Sequence, residues 1–127
     1  MGLLYTLLTA LLMQFYAVTD IPYTSVESAF TSGDAARIVS FGKEMMILNV
    51  CEKEGAYSQS QASQVLKDFF TRKPASSFKF SFKGKETEEG TFAIGTYVSK
   101  GESFRVTIKW KKIGADYKIE SISIEKS

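Results

Sequence analysis

Apolar and polar side chains alternate along three consecutive segments after residue 77, and this pattern constrains the fold more than any other feature of the chain. Side chains of a β-strand point to opposite faces in turn, so each segment predicts a strand with one apolar face. The positions on these faces are Phe78, Phe80 and Phe82, then Phe92, Ile94, Thr96 and Val98, then Phe104, Val106, Ile108 and Trp110. Short turns at 85–90 and 100–101 separate the segments, which predicts an antiparallel meander.

A fourth strand is predicted over residues 117–125, after a turn at 113–116. The apolar positions of this strand are Tyr117, Ile119, Ile122 and Ile124. Their alternation slips by one residue at Glu120 and Ser121, which predicts a β-bulge that bends the strand.

Residues 58–72 carry the clearest helix pattern in the chain. Ser58 and Gln61 have the spacing of a capping box, and Pro74 stands where such a helix must stop. The predicted apolar face of the helix consists of Ala62, Val65, Leu66, Phe69 and Phe70.

Two shorter helices are predicted over residues 20–32 and 35–41. A capping box from Thr24 to Glu27 would stabilise the start of the first helix, Gly33 would end it, and Asp34 would cap the second.

A strand is predicted over residues 44–52, where positions 45–48 are apolar on both sides, so we expect both of its faces to be covered in part. The elements therefore run helix, helix, strand, helix and four-strand meander. The apolar face of the meander needs a cover, and only the helices can supply one. The sequence thus predicts an α+β fold in which N-terminal helices pack on a curved mixed or antiparallel sheet, as a single domain over residues 20–127.

The first nineteen residues carry no charged side chain between positions 2 and 19 and are rich in leucine. This pattern predicts a cleaved signal peptide, and hence an exported protein that is periplasmic or secreted. An uncleaved segment that anchors the protein in the membrane and a buried helix are the alternatives. Only the uncleaved segment would bring the chain into contact with a membrane.

The composition excludes several kinds of chemistry. The chain has no histidine, which rules out a histidine base and a histidine metal ligand. Cys51 is the single cysteine, so no internal disulfide and no cysteine cluster for a metal can form, and we interpret it as a small structural hydrophobe. We predict no cofactor and no metal. The net charge of +2 gives no reason to expect nucleic acid as a partner.

Several short segments between about residues 21 and 125 resemble the nuclear transport factor 2-like superfamily and, more narrowly, an uncharacterised family of exported bacterial proteins within it. The segments are Tyr57-Ser58, 66–70, Ser77-Phe78, 93–96, 104–106 and Lys111-Lys112. The resemblance implies a cone of helices packed on a curved sheet. It does not imply an activity, because this superfamily places many functions on one scaffold.

The resemblance also implies that the open end of the cone can hold a small apolar molecule. The side chains predicted to line such a pocket are Leu66, Phe69, Phe70, Phe92, Ile94, Phe104, Val106, Ile108 and Trp110. The alternative is that these rings fill the core. We predict a non-catalytic binding or interaction domain whose partner is an unknown protein or a small apolar ligand.

An isomerase or lyase that uses the cone pocket is the catalytic alternative. Enzymes of this superfamily typically use a buried carboxylate or a histidine as base. Here Asp68 is predicted to pair with Arg72 on the surface of its helix, which leaves Glu44 and Glu120 as candidates. We therefore predict no catalytic residues.

The last hypothesis rests on charge, since residues 67–112 hold eleven basic and five acidic side chains. Arg105, Lys109 and Lys111 share one strand face, and Lys79 and Lys83 are predicted on the same side of the sheet. This face could bind an anionic glycan or a lipid head group, or it could simply be solvated. The resemblance implies a homodimer through the same face, but the polar character of Arg105, Thr107 and Lys109 favours a weak dimer or none.

Overall fold

A computed structural model describes residues 20–127, and the predicted signal peptide over 1–19 lies outside this range. The nine elements are α1 (Tyr23–Ser32), α2 (Ala35–Ser40), β1 (Gly42–Val50), β2 (Lys53–Ser58), α3 (Gln59–Arg72), β3 (Ser77–Lys83), β4 (Gly90–Ser99), β5 (Glu102–Ile113) and β6 (Asp116–Lys126). The six strands form one sheet in the order β2-β1-β6-β5-β4-β3. Only β1 and β6 run parallel, so the sheet is mixed. The predicted fold class, helices on a curved mixed sheet, is confirmed.

The helices cover one face of the sheet, and their packing explains why this face is apolar. Val26, Phe30, Ile38, Leu66 and Phe69 are all fully buried against the strands. No helix within residues 20–127 is both long and apolar enough to cross a membrane.

Helix α3 begins as the sequence predicts. The Ser58 hydroxyl accepts a hydrogen bond from the backbone N–H of Gln61, and the Gln61 side chain accepts one from the backbone N–H of Ser58. The capping box therefore satisfies two backbone donors that the first turn leaves unpaired. The cap of α2 is also confirmed, because the Asp34 carboxylate accepts from the backbone N–H of Arg37.

The capping box predicted for α1 is wrong. This helix begins at Tyr23, so Thr24 lies inside its first turn instead of preceding it, and the residue at the cap, Pro22, makes no side-chain hydrogen bond. Glu27 instead accepts a hydrogen bond from the backbone N–H of Phe80, at 2.9 Å. Its carboxylate therefore links α1 to β3.

Strand β2 was not predicted from the sequence, and the end and the covering of β1 were predicted incorrectly. A tight turn at Cys51 and Glu52, both with positive φ, ends β1 at Val50 and leads into β2. The expectation that β1 is covered on both faces is wrong, since Met45 and Ile47 are 55% and 45% exposed. The helices cover only the opposite face of β1, which carries the residues that alternate with Met45 and Ile47.

Strand β4 has the predicted alternation with the opposite phase. Its buried positions are Ala93, Gly95 and Tyr97, whereas Phe92 is 41% exposed and Ile94 is half-buried. The reason is volume: a Cβ atom on Gly95 would lie 2.5 Å from the Phe78 ring. Aromatic side chains from neighbouring elements fill this part of the core, so β4 can present only small residues to them.

Two bulges set the direction of the remaining side chains. Phe80 pairs with Gly95 but Phe82 pairs with Ile94, so the strand slips by one residue and Phe82 turns to the outer face. The prediction that all three phenylalanines of β3 share one face is therefore wrong for Phe82. The bulge predicted at Glu120 is confirmed, because the register of β5 with β6 shifts there.

Candidate functional site

The interior of the cone, where the sequence placed a pocket, is filled by its own side chains. Seven of the nine predicted lining residues are at most 6% exposed, namely Leu66, Phe69, Phe70, Phe104, Val106, Ile108 and Trp110. The centre of the Phe69 ring lies 5.3 Å from that of Phe104 and 5.4 Å from that of Tyr97. Rings at these distances are in contact, so they form a packed core here.

The other two predicted lining residues are not in the interior. Phe92 and Ile94 belong to the outer face of the sheet, because the phase of β4 places its small residues inward. On the outer face the Phe92 ring packs against Phe82, with their centres 5.5 Å apart.

No carboxylate of the described chain is buried in the cone. Among residues 20–127 the one buried polar residue is Ser99. Asp68 accepts a hydrogen bond from Arg72 at 3.1 Å on the surface of α3, as predicted. Glu44 is exposed, and Glu120 lies 3.9 Å from the ammonium group of Lys43. The residues that are described also contain no group of three side chains placed to hold a metal ion.

One buried hydroxyl in the interior has a structural role. Tyr97 is fully buried, and its Oη donates a hydrogen bond to the backbone carbonyl of Lys73, just after α3. This bond satisfies a carbonyl at the end of the helix, where no intrahelical donor is available. Burial raises the pKa of Tyr97 to about 12.

We expect the stability of the protein to fall as the pH rises from about 10 to about 12, in part because of Tyr97. The unfolded chain loses this proton near pH 10 and the folded chain only near pH 12. Between these values ionisation stabilises the unfolded state relative to the folded state, so the free energy of unfolding decreases. The contribution of Tyr97 is complete below this window and is lost above it, with a size of roughly 2 kcal/mol. Urea unfolding of the wild type and of Tyr97→Phe across this range measures it. Identical pH dependence in the two proteins would contradict the expectation.

The outer face of the sheet carries large exposed apolar side chains. The rings of Phe82 and Phe92 stand on β3 and β4 and are 49% and 41% exposed. Over β1 and β6, on the other half of this face, a groove of about 320 Å³ has a floor of small side chains. Its lining residues are Ile47, Asn49, Glu54, Thr107, Lys109, Glu120, Ser121, Ile122 and Ser123.

The charges on the outer face differ from those predicted. Arg105, Lys109 and Lys111 lie there on β5, but Glu125 stands directly opposite Arg105 on β6. Lys83 is not on this face: the bulge in β3 turns it inward, and its Nζ lies 4.6 Å from the centre of the Tyr23 ring. The face therefore carries both signs of charge.

A second feature lies at the end of the cone, where α1 begins. Tyr23, Phe80 and Trp110 pack edge to face there, with the Tyr23 ring 5.2 Å from each of the other two. Thr91 is the cross-strand neighbour of Trp110. Tyr23, Thr91 and Lys83 were missed as a group because they come from three elements, and no local pattern connects them.

Known proteins share this fold and this sequence pattern. The crystal structure of a DUF4783 family protein from Bacteroides ovatus has a TM-score of 0.78 and 28% identity, covering 86% of this chain and 97% of that one. The relative from Bacteroides uniformis has a TM-score of 0.77 and 25% identity, covering 85% and 98%. An NTF2-like protein of unknown function from Shewanella baltica, at 9% identity and a TM-score of 0.63 over 82% of this chain and 86% of that one, shares the fold alone. No curated protein matches the chain.

The nuclear transport factor 2-like fold that the resemblance implies is therefore confirmed, and it agrees with the order of helices and strands described above. The model of a family described as a domain of unknown function (DUF4783) matches residues 23–125, which include all three helices and nearly all of the sheet. This chain belongs to the DUF4783 family.

Proposed function

We propose that this chain is a non-catalytic interaction domain that binds through the outer face of its sheet, and that a second copy of the chain is the partner that fits this face. The observation that carries the proposal is the pair of exposed rings, Phe82 and Phe92, on the same face as a groove floored by small side chains. A surface with both a ridge and a groove can be complementary to itself, as a two-fold dimer requires.

The strand order places the ridge on one half of the face and most of the groove on the other. The middle of the sheet lies between β6 and β5; the groove lies over β6 and β1 and extends to Thr107 and Lys109 of β5, and the ridge stands on β4 and β3. Two copies related by a two-fold axis parallel to the strands would place β4 of one over β1 of the other. Phe92 and Ile47 lie in one cross-strand row, so Phe92 would contact Ile47 of the second copy.

The charges fit the same arrangement. Arg105 on β5 and Glu125 on β6 lie in one row on either side of the middle of the sheet. Across the axis, Arg105 of one copy would face Glu125 of the other, twice in the dimer. Ion pairs of this kind determine the orientation of the two copies more than their affinity. Because the centre of the face is also polar, we expect a weak dimer.

Two alternatives have less support. An isomerase or lyase would need a base inside the cone, and the described carboxylates lie outside it. An anionic glycan or a lipid head group would favour a uniformly basic face, whereas Glu120 and Glu125 stand beside the lysines and the arginine of β5.

Sedimentation equilibrium tests the proposal. The weight-average mass of the purified wild-type protein should rise with concentration up to about 1 mM, the range in which an interaction of about 4 kcal/mol becomes visible. Phe92→Asp places a charge in the contact and should keep the mass at that of one chain. Thr71→Asp places the same charge on the exposed side of α3 and should change nothing.

Two results would contradict the proposal. One is a wild-type protein that stays monomeric over the whole concentration range. The other is a Phe92→Asp variant that associates as the wild type does.

A further inference from the structure

The two edges of the sheet differ in how they are protected. The β3 edge is closed, because Glu27 accepts a hydrogen bond from the backbone N–H of Phe80 and a bulge follows between Phe80 and Phe82. Both features hinder the pairing of another strand. Strand β2 has a regular register with β1, and no strand of the described chain lies on its other side. Within residues 20–127, the β2 edge is therefore the one that can accept a further strand.

The hairpin between β1 and β2 determines which backbone groups point to this open edge. Its turn residues, Cys51 and Glu52, have φ angles of 50° and 74°, as a two-residue type I′ turn requires. In such a hairpin the pair that flanks the turn, here Val50 and Lys53, exchanges backbone hydrogen bonds. Along an antiparallel ladder every second pair does so, and the pairs between them do not.

Two residues of β2 therefore present unpaired backbone groups. Glu54 and Ala56 belong to the pairs without hydrogen bonds, so their N–H and C=O groups point away from β1, and both residues are exposed. Ser58 follows the same alternation, because its N–H donates to the side chain of Gln61 and not to β1. The open edge thus offers two donors and two acceptors at the spacing of a β-ladder.

A cavity beside β2 gives room for a side chain of an added strand. It has a volume of about 330 Å³, lies between β2 and α3, and is lined by Val50, Lys53, Tyr57, Gln64, Val65, Asp68 and Arg72. Gly55 faces this side of the sheet, and the Tyr57 side chain lies across it, since a Cβ on Gly55 would be 2.7 Å from the Tyr57 hydroxyl. A residue opposite Gly55 would point to the same side and pack on the Tyr57 ring.

Two charged side chains of β2 specify the neighbouring positions of that strand. Lys53 lies on the side of the cavity and Glu54 on the outer face of the sheet. Neither forms an ion pair with another of residues 20–127. Opposite charges in directly opposed cross-strand positions stabilise a strand pair. The edge therefore favours an acidic residue opposite Lys53 and a basic residue opposite Glu54.

We infer that the open edge of β2 binds an extended segment of a partner protein as an added antiparallel strand. Glu54 and Ala56 each exchange two backbone hydrogen bonds with it. Its sequence is apolar opposite Gly55, then basic opposite Glu54, then acidic opposite Lys53. Peptides that add to a sheet edge are held in this way, with affinity from the main chain and specificity from side chains. The surface is separate from the outer face that we propose for a second copy.

The peptide Ac-Thr-Val-Thr-Ile-Lys-Glu-Thr-NH₂ is the probe, with its isoleucine opposite Gly55. It should move the ¹H–¹⁵N signals of Glu54 and Ala56 to saturation, with a Kd of about 1 mM or lower. When about nine-tenths of the protein is bound, hydrogen exchange at these two amides should slow about tenfold. Phe92→Asp, which breaks the proposed dimer contact, should bind the peptide as the wild type does. This result separates the inference from the proposed dimer.

N-methylated peptides test the register without changing the protein. The amide of the peptide lysine would donate to the Glu54 carbonyl, so a methyl group on that nitrogen should weaken binding at least about tenfold. The amide of the isoleucine points away from β2, so a methyl group there should change the affinity by less than about twofold. Exchanging lysine and glutamate in the peptide places like charges opposite Lys53 and Glu54 and should weaken binding about three- to tenfold. Equal affinity of the two methylated peptides would overturn the inference.

A matched pair of protein variants tests the edge itself. Ala56→Pro removes an N–H that points away from β1, so the strand should remain paired while peptide binding weakens at least about tenfold. Ala56→Ser keeps the N–H and should bind as the wild type does. In the free protein, the amides of Glu54 and Ala56 should exchange without protection. Protection without peptide would mean that this chain or a second copy already covers the edge, and would overturn the inference. So would a probe that leaves both signals unchanged.

Discussion

Replacing Phe69 by alanine should lower the free energy of unfolding by about 3–5 kcal/mol, the usual cost of removing a large buried ring. Phe69 is fully buried at the centre of the interface between α3 and the sheet. Its ring contacts Phe70, Tyr97 and Phe104 at centre-to-centre distances of 5.9, 5.4 and 5.3 Å. The rigid neighbours cannot close the cavity that the substitution would leave. The loss of stability therefore includes the transfer free energy of the removed ring and the van der Waals contacts that its neighbours lose.

Urea or thermal unfolding measures the effect, with Phe92→Ala as the matched control. Phe92 is also a phenylalanine that the sequence assigned to the pocket, but it is 41% exposed, so its removal should cost less than about 1 kcal/mol. Because a domain of this size is stable by only about 5–15 kcal/mol, Phe69→Leu provides a milder variant if Phe69→Ala does not fold. Equal losses for Phe69→Ala and Phe92→Ala would mean that the interior is open and not packed.

The elements that could be predicted are those whose signal is local. The start of α3 depends on Ser58 and Gln61, which are three residues apart, and the bulge in β6 is visible as a slip in the alternation at Glu120. The alternation of β5 gave the correct buried face because its opposite face carries arginine, lysine and threonine. In such cases the choice between the two faces does not depend on the rest of the fold.

The phase of β4 could not be predicted in this way. Both of its faces are compatible with burial, since one carries Phe92 and Ile94 and the other carries Ala93 and Tyr97. The larger side chains indicated the wrong face, because the hydrophobicity of a side chain does not show how much space the core leaves for it. That volume is set by Phe30 and Phe78, which are distant in sequence and which stack with their ring centres 4.6 Å apart.

Strand β2 and the end of the cone were missed for related reasons. The inward residues of β2 are Gly55 and Tyr57, which give no apolar alternation, so only pairing with β1 reveals the strand. At the end of the cone, Tyr23 and Thr91 have no distinctive sequence context. Folding removes their hydroxyl groups from water without giving them a hydrogen-bond partner within the described chain. This property exists only in the folded chain and cannot be recognised in the sequence.

The second large effect that we expect concerns Gly95, where alanine should destabilise the protein by about 2–3 kcal/mol. An added Cβ would lie 2.5 Å from Cζ of Phe78 and 3.0 Å from the backbone oxygen of Lys79. Overpacking a core commonly costs this much when the neighbours cannot move. Phe78 cannot move freely, because its ring is stacked on Phe30 and lies edge-on to Phe80.

A double-mutant cycle shows whether the contact with Phe78 is the cause. Phe78→Leu shortens the side chain that the new Cβ would meet, so Gly95→Ala should cost clearly less in that background than in the wild type. Gly101→Ala is the control, because a Cβ there meets no atom and the cost is limited to the strain of a positive φ, about 1 kcal/mol. Additive effects of the two core substitutions would contradict this explanation. Since Gly95 is the position that leaves room for Phe78, non-additivity would also explain why β4 turns its small residues inward and leaves Phe92 on the face proposed to bind a partner.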